Sequence, residues 1–292
     1  MNLVDGFSEL IRTAVTRLPA DVVRALRERH DAEASGSRSR SILSLLLENL
    51  EVASTEGLPV CHQTGLPYFF INYPTNFTQL EIERAVQQAL RAAVKRGLLQ
   101  SSVVDPLEAG AAEGAGDGFA ILRWRQWTRK QLKIDLLLRD GGSANMSGQY
   151  ALPDRQLKAG ADLRGVARVI LDSVRRAGGG GCPPGIVGVG IGGDRCASLE
   201  LAEMQLLRRL DDQNPNPRLA HLEQEIADLC NRLGIGPMGF GGQTTVLSVK
   251  IGAMPRLRTS FFVSIAYNCW ALRRATLAAT GTRSRLKLRV TS

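Results

Sequence analysis

No apolar run in the sequence approaches the length of a membrane span, and the first residues, Met1 to Leu18, place Asp5, Glu9 and Arg12 among the hydrophobic positions. A secretory signal needs an uninterrupted apolar stretch there, so neither export nor a membrane partner is expected. Cysteine is sparse and odd in number, five in 292 residues. That argues against a disulfide framework and for a thiol, metal or cluster role in a reducing cytoplasm. Aromatic residues make up only 5% of the chain, and none is interleaved with Arg283, Arg285, Lys287 and Arg289 in the basic tail, residues 283–292. Without rings to stack on bases, that tail reads as a solvated terminus, and nucleic acid is not expected as a partner. No internal repeat and no strict βαβ rhythm is present.

What is present suffices for a sizeable core: 44% hydrophobic and 22% charged residues exclude wholesale disorder. The length allows two domains or one large one. The formal charge is +9, and setting aside the four basic tail residues leaves +5, which suits an acidic small substrate as well as a polyanion. Up to about residue 56 the pattern is helical, with Leu3, Phe7, Leu10, Ile11 and Val15, then Leu43, Leu46, Leu47 and Leu50, at three-to-four spacing. The polar stretch Ala34 to Ser39 reads as the loop between these helices. A further helix is expected over Gln79 to Arg96. Alternation then predicts strands on Leu132, Ile134, Leu136 and Leu138 and on Leu247, Val249 and Ile251, with short partners at Phe69 to Tyr73 and Phe119 to Trp124. Helices return at Leu157 to Arg176, Arg195 to Leu210 and Pro217 to Leu233. The expected class is α+β: a helical N-terminal part (1–56), then mixed sheets flanked by helices, with glycine clusters at the joints.

Three segments combine a cysteine with permissive backbone: Pro59-Val60-Cys61-His62-Gln63-Thr64-Gly65, Gly178-Gly179-Gly180-Gly181-Cys182-Pro183-Pro184-Gly185 and Tyr267-Asn268-Cys269-Trp270. Glycine lets backbone amides approach a thiolate, as suits an iron–sulfur cluster held by three thiolates with one iron left open as a Lewis acid. The spacing alone, 121 and 87 residues, suits turn glycines beside unrelated thiols equally well. Cys196 and Cys230 fall inside helical patterns, where a thiol acts as a small hydrophobe. A phosphate loop at the glycine runs lacks both a Gly-Lys-Ser/Thr ending and a Gly-x-Gly-x-x-Gly in strand-to-helix context.

The phrase Gly181-Cys182-Pro183-Pro184-Gly185-Ile186-Val187-Gly188-Val189-Gly190-Ile191-Gly192-Gly193 resembles the central signature of the class I fumarase and L-tartrate dehydratase family, in its alpha subunit or N-terminal half. Four more segments agree in order. Cys61-His62-Gln63-Thr64-Gly65 is similar to the family's Cys-Gln-Asp-Thr-Gly, and Gly142-Ser143-Ala144-Asn145-Met146-Ser147 to its Gly-Ser-Glu-Asn-Met-Ser. Ile235 to Thr245 resembles Ile-Gly-Pro-Gln-Gly-Leu-Gly-Gly-Lys-Thr-Thr, and Cys269 to Arg274 resembles Cys-Trp-Ala-x-Arg-Arg. The likeness covers nearly the whole chain, which is therefore expected to be one alpha-type catalytic domain over residues 1–292.

The resemblance implies a 4Fe-4S cluster on Cys61, Cys182 and Cys269 with one open iron, and reversible hydration of a double bond next to a carboxylate. It puts His62 and Gln63 at catalytic positions and Gln100, Gly142, Ser143, Asn145 and Arg256 at substrate-binding positions. Several of these depart from the family pattern. Gln63 stands where the family has Asp and cannot act as a base, so His62 is the candidate replacement. Gln100 stands where an Arg is usual, removing a bidentate carboxylate partner. Leu257 follows Arg256 where a His is usual, Gln243 replaces a Lys, and Glu113 to Gly118 replaces an Asn-Thr-Gly-Asp-Asn segment. A substrate other than standard fumarate is expected, a small carboxylate with a less acidic or more apolar group in place of the second carboxylate. Only 23 residues follow Cys269, so a beta-type subunit is the expected partner, and pairing of two alpha chains is also allowed. The competing readings are an ordinary fumarate or tartrate hydratase alpha subunit, and a non-lyase cluster-binding protein that uses its basic tail on nucleic acid.

Overall fold

A computed structural model describes residues 2–100, 119–282 and 285–292. In chain order the elements are α1 (Leu3–Thr16), α2 (Ala20–Ala32), α3 (Arg38–Glu56), β1 (Leu66–Tyr73), α4 (Gln79–Lys95), β2 (Ile121–Gln126), β3 (Leu132–Arg139), α5 (Gly141–Asn145), β4 (Gly148–Ala151) and α6 (Leu163–Ala177). They continue with β5 (Gly185–Ile191), α7 (Arg195–Gln205), α8 (Pro217–Asn231), β6 (Val246–Ala253), β7 (Phe262–Asn268), β8 (Arg273–Thr282) and β9 (Arg285–Thr291). The α+β class and the helical N-terminal part are as expected. Among the described residues no helix is long and apolar enough to cross a membrane.

The chain divides into two compact units. The first comprises Met1–Pro19, Asn49–Asp140 and Arg273–Ser292 and carries a five-stranded sheet in the order β2-β1-β3-β8-β9. Only the β1–β2 pair is parallel. Local signals start its helices: Asn2 and Asp5 form a reciprocal capping box on α1, and Thr78 and Glu81 form one on α4. Behind the α1 cap, Phe7, Leu10, Ile11, Ala14 and Val15 recur at helical spacing and join Ile82, Val86 and Leu90 of α4 in one core with Leu132, Ile134, Leu136 and Leu138. Each such fully buried Leu, Ile or Phe contributes about 1.5–3 kcal/mol relative to exposure.

The basic segment read as a solvated terminus is a paired strand. β9 lies antiparallel along β8, with Leu286, Leu288 and Val290 packed against the core while Lys287 and Arg289 are exposed. Its period-two alternation puts the charges on one face and the apolar residues on the other.

The second unit comprises Ala20–Glu48 and Gly141–Leu272, with a four-stranded sheet in the order β4-β7-β5-β6. β5 and β6 run parallel, and β7 is antiparallel to β5 and β4. β5 replaces the expected glycine joint. All seven of its residues are buried, and Gly188 and Gly190 are glycine because α7 crosses them: a Cβ would stand 2.2 Å from the Ala202 carbonyl oxygen at Gly188 and 2.0 Å from that of Ser198 at Gly190. The phrase Gly-Val-Gly-Ile is thus a strand under a closely docked helix, not a phosphate loop. α6 begins at Leu163 instead of Leu157 because the Asp162 side chain caps the Gly165 amide at 2.7 Å. α7 ends at Gln205, and the following turn is tied down by the Leu210 amide donating to Asp21 at 2.7 Å.

Candidate active site

In the first unit, the segment carrying Cys61 joins α3 to β1. Its entry is pinned by Val60, which is buried, donates to the Val15 carbonyl at 3.0 Å and accepts from the Asn49 side chain at 3.0 Å. Its exit is pinned by Thr64, also buried, whose hydroxyl accepts the Gln100 amide at 2.8 Å. Between them Cys61 is half-buried, and His62 and Gln63 are exposed. Among the described residues His62 makes no hydrogen bond. The Gln63 carbonyl accepts from Arg273 Nη1 at 2.8 Å. Thr64 thereby brings Gln100, itself exposed, to the same segment as Cys61, His62 and Gln63. The replacement for the family's Asn-Thr-Gly-Asp-Asn, Glu113 to Gly118, lies outside the described residues.

In the second unit hydrogen bonds link three other sequence segments, directly or through one another, to the Cys182 segment. The residue has φ 48° and ψ 59°, left-handed backbone that a side chain makes costly by about 1–2 kcal/mol. Its carbonyl accepts the Trp270 amide at 3.2 Å, which sets Cys182 beside Cys269, a buried residue whose own carbonyl accepts the Asn268 side-chain amide at 2.9 Å. The Pro183 carbonyl accepts the Met238 amide at 2.7 Å, bringing in the Ile235 to Thr245 loop. Ser147 accepts the Tyr267 amide at 3.1 Å and brings in α5, where Ser143 is buried, Gly142 half-buried and Asn145 exposed. Among the described residues no hydrogen bond brings Arg256 to this place. Its guanidinium donates to the carbonyls of Leu257, Arg258 and Ser260, at 2.9, 3.2 and 2.9 Å, and stacks on Phe261, so it braces its own exposed loop.

Position-by-position matching with a known protein family then covers residues 4–278, and the matching family is described as fumarate hydratase (Fumerase). The chain belongs to this fumarate hydratase family. It is 42% identical over 276 residues to a putative fumarate hydratase class I of Geobacillus stearothermophilus, covering 93% of this chain and 54% of that protein, so it spans about half the length of that relative. It is 32% identical over 281 residues to a putative L(+)-tartrate dehydratase subunit alpha of Methanocaldococcus jannaschii, covering 94% of this chain and 96% of the relative. An L(+)-tartrate dehydratase subunit alpha of Escherichia coli K12 is 30% identical over 283 residues, with 94% and 89% covered.

The segment Gly241-Gly242-Gln243-Thr244-Thr245, this chain's version of a fumarate hydratase motif, owes its shape to a residue that sequence patterns did not single out. Glu33, buried just past the end of α2, accepts from the Gln243 amide and the Thr244 amide at 3.0 Å each, from the Thr244 hydroxyl at 2.8 Å and from the Ser39 hydroxyl at 2.7 Å. Asn231 takes the next two amides, Thr245 at 2.8 Å and Val246 at 2.9 Å. No local pattern marks a lone Glu at a helix end as the acceptor for a loop some 210 positions away. Glu33→Ala leaves buried donors unmet and is expected to cost about 3 kcal/mol in urea unfolding, with Glu33→Gln losing less. An unchanged midpoint in the alanine variant would show that the loop holds itself.

The remaining cysteines stand apart from the fumarate hydratase motifs. Cys230 is buried in α8, and burial pushes its thiol up to about 12, so it is an inert packing group. Cys196 is exposed on α7. No disulfide joins any of the five. Among the described residues no three His, Cys, Asp or Glu side chains lie close enough to hold a single metal ion. A cleft of about 520 Å³ in the second unit, lined by Arg29, Asp212, His221 and Lys250, contains none of the motif residues. Three of its charged groups are ion-paired: Lys250 with Asp212, and Glu223 with the neighbouring Arg208, each at 2.7 Å. Burial raises the Asp212 carboxyl, but hydrogen bonds from Arg208 and Lys250 outweigh this and hold it below the ordinary carboxylate range.

Proposed function

We propose that this chain is the alpha part of an iron–sulfur hydro-lyase that adds or removes water across a carbon–carbon double bond beside a carboxylate, on a hydroxy or unsaturated acid other than fumarate itself. Cys61, Cys182 and Cys269 would hold a 4Fe-4S cluster, and a beta-type subunit would complete the site. The observation that carries this reading is the Trp270-to-Cys182 hydrogen bond, which sets side by side two cysteines separated by 87 residues of sequence. The left-handed backbone at Cys182 supports it, since strain of this kind persists where a functional geometry is over-determined by its surroundings. Five thiols without a disulfide suit the reducing cytoplasm.

When bound, the cluster would supply an open iron as Lewis acid for the substrate hydroxyl and one carboxylate. The chain's own residues have separate work. His62, exposed next to Cys61, is the candidate acid or base for the proton on the neighbouring carbon. Gln63 and Gln100 offer neutral amides where the family pattern has a carboxylate and a guanidinium, so they hydrogen-bond a substrate group without pairing with its charge. Gly142 admits substrate close to the backbone, Ser143 and Asn145 line that approach with polar groups, and Arg256 acts by shaping the loop it braces.

Anaerobic co-expression with a beta-type subunit, followed by assay on fumarate, malate, tartrate and further hydroxy acids, tests the proposal. The isolated chain is expected to be inactive, and the pair to show its highest kcat/KM on a substrate other than fumarate. Robust turnover by the chain alone, or fumarate as the best substrate, would overturn it.

A further inference from the structure

Arg273, the first residue of β8, is 0% exposed, the largest side chain so thoroughly buried in the molecule's described part. One of its donors, Nη1, is used on the Gln63 carbonyl at 2.8 Å, two residues beyond Cys61. Among the described residues its Nε and Nη2 find no acceptor, and no carboxylate pairs with it. A buried cation is tolerated where it meets an opposite charge and satisfied hydrogen bonds. Here the described protein supplies one carbonyl.

A group sealed from solvent needs a counter-charge that stays, which a substrate that comes and goes does not provide. Three thiolates more than offset the charge of an iron–sulfide core, so a cluster with its ligands is a resident anion, and hydrogen bonds and nearby charge set its potential. We infer that Arg273 is a positioning residue for the cluster: Nη1 holds the Cys61 segment by its Gln63 carbonyl, and the remaining guanidinium charge balances the cluster anion. The inference rests on the iron–sulfur reading proposed above. It assigns Arg273 to the cluster and not to substrate.

The test uses the anaerobic holoenzyme with its beta-type partner. Arg273→Gln is expected to shorten cluster lifetime under chelator challenge by about 10–100-fold and to move the cluster's midpoint potential to more negative values, because a positive charge that favours the reduced form is gone. Arg273→Lys, which keeps the charge but not the fork, is expected to recover the potential more than the lifetime. In the wild type carrying isotopically labelled arginine nitrogen, pulsed EPR of the reduced cluster should show a coupling to that nitrogen which Arg273→Lys removes. This readout stands even if the glutamine variant does not fold. An unchanged potential in Arg273→Gln, a rise in KM alone, or the absence of the nitrogen coupling would overturn the inference. Wild-type holoenzyme without iron and sulfide would instead overturn the cluster reading itself, so the two failures are distinguishable.

Discussion

Serine at Cys61, Cys182 or Cys269 is expected to leave the anaerobically prepared protein with essentially no bound iron or sulfide, whereas Cys196→Ser keeps the wild-type content. The reasoning is about charge and place. A serine hydroxyl does not ionise near neutral pH and is a poor ligand for iron, so losing one of the three proposed thiolates would remove a third of the anchoring and leave an iron without its protein ligand. The Trp270 amide, next in sequence to Cys269, donates to the Cys182 carbonyl, and Cys61 sits on a segment pinned at Val60, Thr64 and Gln63. Cys196, exposed on α7, has no such setting, and Cys230 is a buried thiol held protonated by its surroundings. Iron and acid-labile sulfide analysis decides the matter. A full complement in any one of the three variants, or its loss in Cys196→Ser, would refute the ligand assignment.

Gly190→Ala is expected to cost about 3 kcal/mol or more, at the upper end of the overpacking range. The added methyl would stand 2.0 Å from the Ser198 carbonyl oxygen and 2.8 Å from the Ala202 amide nitrogen, both backbone atoms of α7. No rotamer change relieves such a clash, so α7 must shift away from β5 and lose contacts along its length. At roughly 2–4 °C per kcal/mol for a domain of this size, the melting temperature should fall by about 6–12 °C. Gly141→Ala is the control, because nothing lies within 4 Å of its Cβ position and its backbone is not left-handed; a change of within about 0.5 kcal/mol is expected there. Equal melting temperatures for the two variants would mean that α7 does not pack as closely as described.

The same residue shows where reading a sequence stops. Gly188 and Gly190 invite interpretation as a flexible loop, because glycine advertises freedom and conceals the reason for it. Here the reason is the backbone of a helix eight to fourteen residues ahead, and β5, buried on both faces, has no polar alternation to betray it. β9 was legible in principle, since Leu286, Leu288 and Val290 alternate with Lys287 and Arg289, but its charge drew the eye before its period did. α1, α4 and β3 were legible outright, because their caps and their 3.6- or two-residue periods lie within a dozen consecutive residues. At the site, the five ordered motifs direct attention to the segments that carry Cys61, Cys182 and Cys269, and only the fold shows that Arg256 braces its own loop.

Local order and motif order belong to the sequence alone: the helical beginning, the alternating strands, the membership implied by five phrases in series, and the three cysteines that stand in them. The tertiary structure decided what no local pattern holds. It set Cys182 beside Cys269, tied Gln100 to the Cys61 segment through a threonine hydroxyl, closed the Gly-Gly-Gln-Thr-Thr loop on Glu33, and buried Arg273 with donors to spare. The physical reason is the same in each case. A hydrogen bond or a sealed charge is a relation between atoms far apart along the chain, and only the packed fold supplies its second member.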